Sequence, residues 1–223
     1  MSPHLTSLPL NDPANMPMNL KAPLATLLAA ITMLWCVAAQ GASLTLQITD
    51  AAGLIGNDVV AYAEPASGQA LPKSAHVAAQ IEQKARRFAP IVTVIQTGSA
   101  VSFPNHDSVR HQVYSFSPAK VFELKLYSGA GGDPIVFDKA GTVIVGCNIH
   151  DQMAAYIQIV DTPWFGKSDA LGKLIIDNLV PGKYHLKFWH PNLPTGAAPP
   201  EQLIAVGAGD MVLPIALTFK TQR

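Results

Sequence analysis

Cys147 opens the run Cys147-Asn148-Ile149-His150-Asp151-Gln152-Met153, so a thiol, an imidazole and a thioether recur at three-residue steps. A second imidazole, His111, lies upstream beside an apolar strand pattern. A thiolate, two neutral imidazoles and a weak axial thioether are the donor set of a blue-copper electron-transfer site, because soft sulfur suits copper and imidazole suits either of its oxidation states. The chain has Cys 2 in all, and the other, Cys36, falls in a segment that reads as removed on export. A lone cysteine in an exported protein has no internal disulfide partner, and a metal gives it a role. Taken bare, C-x-x-H-x-x-M is a weak signal. A haem attachment asks for two cysteines with an adjacent His, and a closed tetrahedral zinc site rarely takes Met as its fourth ligand. A buried free thiol with incidental histidines is the bland alternative.

Donors far apart in sequence meet only on a rigid scaffold, and the pattern of the chain supplies a β one. Beyond residue 43 no segment carries a long apolar period of 3.6; short alternating or wholly apolar runs are separated by Gly, Pro, Asn and Asp. These runs predict strands over 43–48, 58–63, 90–95, 100–103, 112–116, 135–138, 142–146 and 154–160, then 173–177 and 185–189. Residues 64–73 read as a loop, as do 117–120 and 129–132. One helix is expected over 74–87, where Ala, Gln, Glu, Lys and Arg predominate; Lys84, Arg86 and Arg87 would form its polar face.

Two parts of the chain resemble known families. The first runs from Val101-Ser102-Phe103-Pro104-Asn105 through Asp107 and Val109 to His111-Gln112-Val113, and continues in the strand 142–146 that leads into Cys147, His150 and Met153. It is similar to a cupredoxin of the amicyanin and plastocyanin type, in which an H-x-V histidine and a short C-x-x-H-x-x-M loop hold one type 1 copper. The resemblance implies His111, Cys147 and His150 as the strong ligands and Met153 as the axial one. It also implies the exposed edge of His150 as the electron port. Asn105 would make hydrogen bonds tying the two ligand segments together, while Val113, Val145 and Ile149 keep water away. Arg110, beside His111, is the cation that could meet a redox partner.

The second part is Asp169-Ala170-Leu171-Gly172, the strand 173–177, and Leu179-Val180-Pro181-Gly182-Lys183-Tyr184 with the strand after it. It resembles the hairpin of the carboxypeptidase regulatory-like, or transthyretin-like, β-sandwich, and residues 44–65 resemble that sandwich's first strands. The whole looks like the periplasmic methylamine-utilisation-protein-like chains. The fold expected is therefore all-β: a Greek-key β-sandwich cupredoxin inserted in, or flanked by, a small transthyretin-like sandwich. The boundaries are 1–41 for an extension and signal peptide, 42–87 and 163–223 for the two parts of the flank, and 88–162 for the cupredoxin.

Lys21, the apolar run 24–39 broken only by Thr26 and Thr32, and the small residues Ala38, Ala39, Gly41, Ala42 and Ser43 describe a secretory signal peptide. Its apolar run is just short of the about 18 residues that a membrane span needs. Export to the periplasm, with no span after cleavage, is the expectation. Removal leaves about 180 residues, enough for one large or two small domains. A net charge of +0 excludes a nucleic-acid footprint. No Ser-His-Asp order, phosphate loop, paired-carboxylate spacing or second His-rich cluster supports an enzyme. The expected role is a carrier of single electrons between a donor and an acceptor protein. The alternative is a copper-binding or scaffolding module without electron transfer. Of the remaining histidines, His106 and His185 read as solvated and His190 as a structural corner.

Overall fold

The computed structural model describes residues 41–218 apart from 51, 55, 69, 73–76 and 194–197. Cys36 and the apolar run of the expected export segment lie outside the described residues. Among the described residues every regular element is a strand, and no helix is long and apolar enough to cross a membrane.

Strand β1 (Ala42–Asp50) alternates as its sequence does: Ala42, Leu44, Leu46 and Ile48 are buried, with the residues between them turned outward. Strand β2 (Val60–Pro65) is apolar on both faces for a reason. Val59, Ala61 and Ala63 enter the same core as β1, while Val60 and Tyr62 face a second cluster with Val92 and Val160.

The middle of the chain forms β3 (Ala79–Gln80), β4 (Glu82–Lys84), β5 (Arg87–Ala89), β6 (Val92–Gln96), β7 (Ser99–Ser102), β8 (His111–Ser117), β9 (Lys120–Tyr127), β10 (Ile135–Phe137), β11 (Gly141–Gly146) and β12 (Ala154–Val160). One sheet has the order β6-β12-β11-β8-β9 and a smaller one β10-β7-β3, with β4 and β5 a separate hairpin. Their inward residues, among them Ile81, Phe88, Phe103, Val113, Phe137, Val143, Val145 and Ile157, form one core that also contains Cys147 and Met153.

The chain then returns with β13 (Phe165–Lys167), β14 (Lys173–Leu179), β15 (Gly182–Trp189), β16 (Glu201–Val206) and β17 (Met211–Leu217). These join β1 and β2 in two further sheets, β14-β1-β17 and β13-β2-β15-β16, around a core of Leu44, Leu46, Ile48, Trp164, Leu174, Tyr184 and Phe188 with their neighbours. The motif residues of this part have visible jobs. The Asp169 carboxylate accepts the backbone N–H groups of Leu171 and Lys173, each within 2.9 Å, around Gly172 at φ 74°. The Tyr184 hydroxyl donates to the Val180 carbonyl at 2.7 Å and locks the β14–β15 corner.

Two expectations are corrected. Residues 77–87 of the expected helix hold β3, β4 and the start of β5 instead: Ile81 and Gln83 are fully buried while Lys84 is exposed, and the Ile81 N–H donates to the Ser102 carbonyl. Helix-favouring side chains gave way to burial at period two, since propensity is a weak prior that tertiary packing overrides. Lys84, Arg86 and Arg87 accordingly sit at a hairpin tip rather than along a helix face. Residues 117–120 are not all loop either: Ser117 ends β8 and Lys120 begins β9, which runs to Tyr127 and pairs antiparallel with β8.

Candidate metal centre

His111 is the first residue of β8 and is fully buried. Cys147 follows the last residue of β11, and Met153 precedes the first of β12, so the ligand loop is the turn between two paired strands. The loop is closed by its own backbone: the Met153 N–H donates to the His150 carbonyl at 2.9 Å and the Cys147 N–H to the Met153 carbonyl at 3.3 Å. Cys147 and Met153 are buried, and His150 is half-buried.

The three nominated strong ligands converge. Sγ of Cys147 lies 3.8 Å from Nδ1 of His111 and 4.0 Å from Nδ1 of His150. All three donor atoms fall within 4.8 Å of one another, and the two imidazole rings are 4.9 Å apart at 61°. Donors at about 2.0 Å (nitrogen) and about 2.3 Å (sulfur) from a trigonal ion would be separated by about 3.8 Å. The donor triangle therefore fits a first-row metal ion with little rearrangement. Met153 shares the core with Cys147, and the two also line a cleft of about 470 Å³ together with Tyr114, Phe116, Ile144 and Asn148.

Asp107 is the functional residue that the sequence reading missed. Its Oδ2 lies 2.8 Å from Nε2 of His111, which places the imidazole proton on Nε2 and leaves the Nδ1 lone pair facing the sulfur. The same carboxylate accepts the N–H groups of Ala85 at 2.6 Å and Arg86 at 2.9 Å. Burial pushes the Asp107 carboxyl up, but the Arg86 N–H, the His111 ring and the Ala85 N–H together outweigh it and hold its pKa below the usual carboxylate value. A carboxylate four residues before a candidate histidine ligand was the available signal.

Asn105 is buried, but not in the role expected of it. Its Nδ2 donates to the carbonyls of Val109 and Tyr127, both at 2.9 Å, and its Oδ1 accepts the Asp107 N–H. All three partners lie on the His111 side, so Asn105 shapes that loop instead of tying it to the cysteine loop. Val113 and Val145 are fully buried beside the site, whereas Ile149 is half exposed. Arg110 and His106 are exposed. His185 is half exposed, 3.7 Å from Glu201, and His190 accepts the Asn192 N–H in the flanking sheets. Burial lowers the pKa of His190, against an opposing pull from Asp58.

No protein-family model matches the chain, and no curated protein does. Several solved structures resemble it in part. A copper-containing nitrite reductase from Thermus scotoductus SA-01 is 22% identical over 44% of this chain at a TM-score of 0.36, and the chain spans only 25% of that enzyme. A purple cupredoxin from Nitrosopumilus maritimus is 24% identical over 37% of this chain and 99% of its own, at a TM-score of 0.31. A reduced Cu(I) form of an amicyanin variant is 15% identical over 44% of this chain and 91% of its own, at a TM-score of 0.35. These three are two cupredoxins and one copper enzyme, each matched over less than half of this chain.

Proposed function

We propose that the protein is an exported, periplasmic blue-copper carrier of single electrons, with a type 1 centre held by His111, Cys147 and His150 in a plane and Met153 in the axial direction. The observation that carries this reading is the donor triangle, two Nδ1 atoms at 3.8 and 4.0 Å from one thiol, with His111 on β8 and the other two donors on the loop between β11 and β12. Copper bound there would supply reversible one-electron chemistry. The residues do the rest. The strands β8, β11 and β12 hold the donors in place before metal arrives, which keeps geometric change on redox cycling small. Val113 and Val145 keep water from the sulfur. His150, half-buried on the loop, offers the ring edge through which an electron reaches a partner protein, and the exposed Arg110 offers that partner a charge.

We further infer that residues 42–65 and 163–217 form one sandwich into which the metal-binding sandwich is inserted. Its own core, which uses no ligand residue, favours a second reading: a copper-binding or scaffolding module without electron transfer. Adding Cu(II) to the exported form tests both readings. An intense thiolate-to-copper absorption, abolished in Cys147→Ser with the fold retained, is the expected result; a colourless protein holding copper weakly would reject the blue site. Fast, reversible exchange at an electrode marks a carrier, whereas release of copper on reduction marks a delivery or storage module.

A further inference from the structure

The hairpin β4–β5 sits against the segment that leads to His111, and its contacts converge on one carboxylate. Lys84 pairs with Arg87 across a two-residue turn whose residues, Ala85 and Arg86, have φ of 52° and 55°. Two non-glycine residues in the left-handed region are sterically disfavoured even where a tight hairpin turn calls for that geometry, so contacts that hold them there matter. Their successive N–H groups form a concave anion nest, and the anion it receives is the Asp107 carboxylate. Beneath the turn, fully buried Gln83 donates from Nε2 to the Phe103 carbonyl at 2.9 Å and to the Tyr127 hydroxyl at 2.5 Å. The Gln83 backbone bonds to Pro104 and His106 on either side of Asn105. The hairpin is thereby stitched along the whole His111 approach, and its tip grips the group that grips His111.

We propose that the β4–β5 hairpin and Asp107 form a clip that positions His111 for metal, so the centre is built on three chain segments instead of two. Asp107 is a positioning residue: Oδ2 orients the imidazole through Nε2, and the Ala85–Arg86 nest holds the carboxylate in the one orientation that permits it. The clip rests on the copper reading for its purpose, but its own geometry exists in the metal-free protein. Its negative charge, one imidazole away from the ion, also favours the more highly charged oxidation state.

The test uses the full exported chain and its Asp107→Asn and Asp107→Ala variants. In the wild-type apoprotein, the Nε2 proton of His111 and the amide protons of Ala85 and Arg86 are expected to exchange slowly with solvent, and all three lose protection in Asp107→Ala. Asparagine has one acceptor oxygen. Seated at Oδ2, it keeps the His111 and Arg86 bonds, leaves the Ala85 amide facing an NH2 group, and removes the charge. Asp107→Asn should therefore expose the Ala85 amide alone and raise the reduction potential. Competition with a chelator should show Cu(II) affinity about 10- to 100-fold lower in Asp107→Ala. A purely structural role would lower the melting temperature while leaving the potential of Asp107→Asn at the wild-type value, and that result overturns the proposal. Unchanged protection of the Ala85 and Arg86 amides in Asp107→Ala overturns it too. A wild-type protein that binds no copper rejects the copper reading instead, and the exchange measurements on the apoprotein still decide whether the clip exists.

Discussion

At the scale of single residues, Met153 has two duties that substitution can separate. It is buried in the core with Cys147, and its side chain is the nominated axial donor. Met153→Leu conserves volume, so it should cost less than about 1.5 kcal/mol of stability. The three strong donors remain, so the thiolate-to-copper absorption persists. The axial thioether gives electron density that favours the oxidised ion, and its loss should raise the reduction potential. Voltammetry beside a urea melt checks both; a potential equal to wild type would leave Met153 as packing alone. The converging donors His111, Cys147 and His150 were legible in the sequence because a thiolate, imidazoles and a thioether have few other reasons to recur at such spacing. Asp107 was not legible. It stands among the polar loop residues Asn105, His106 and Ser108, and apart from its spacing of four before His111 nothing in that string says which one the fold turns inward. Ile149 shows the converse: an apolar residue inside the motif that the fold leaves half exposed.

At the scale of elements, apolar strands were readable, alternating or unbroken, and a hairpin built of helix-favouring residues was not. β1, β8 and β11 show their period of two plainly, so their inward residues could be named in advance. The β4–β5 hairpin could not be, since its composition favours helix and only its partners in the 102–106 segment make it extended. β2 is instructive in another way: its unbroken apolar run reflects two cores, one on each face. Tyr62 faces the smaller of these, and its phenol is pushed up to about 12 by burial, with Glu64 and Glu201 adding to the shift. The phenol favours the folded state only while protonated. Its contribution is fully present below the unfolded value near 10 and is lost as pH rises through the folded value. Stability should therefore fall between about pH 10 and about pH 12, by up to about 1.4 kcal/mol per pH unit from this one group. Denaturation across that range should show the decline, and Tyr62→Phe should make it shallower; an identical slope in the variant would count against Tyr62 as its source.

At the scale of the whole molecule, the question is how one chain builds two cores without tangling them. The first and last described strands, β1 and β17, pair in parallel from Leu44↔Met211 to Asp50↔Leu217, and so close one sandwich. The chain leaves that sandwich after β2 and returns within hydrogen-bonding distance of its exit: the Ala63 N–H donates to the Trp164 carbonyl at 2.8 Å, and the Thr162 hydroxyl to the Ala63 carbonyl at 2.7 Å. Exit and entry points that touch are what an inserted domain requires. Replacing residues 67–161 by a short Gly-rich linker should then leave β1, β2 and β13–β17 folded, with a cooperative melt. The excised piece is expected to be particular about its boundary. Beginning at residue 88 it lacks Ile81, whose complete burial contributes about 1.5–3 kcal/mol, and it loses Gln83 and the nest around Asp107. Beginning at residue 77 it keeps all of β3 to β12. The fragment 77–162 should melt cooperatively and turn blue with Cu(II), while 88–162 should do neither well. Two fragments that behave alike would mean that the hairpin is an ornament to the sandwich that carries His111 and Cys147. Failure of the 67–161 replacement to fold would mean that the two cores form a single cooperative unit, joined through Val60, Tyr62, Val92 and Val160.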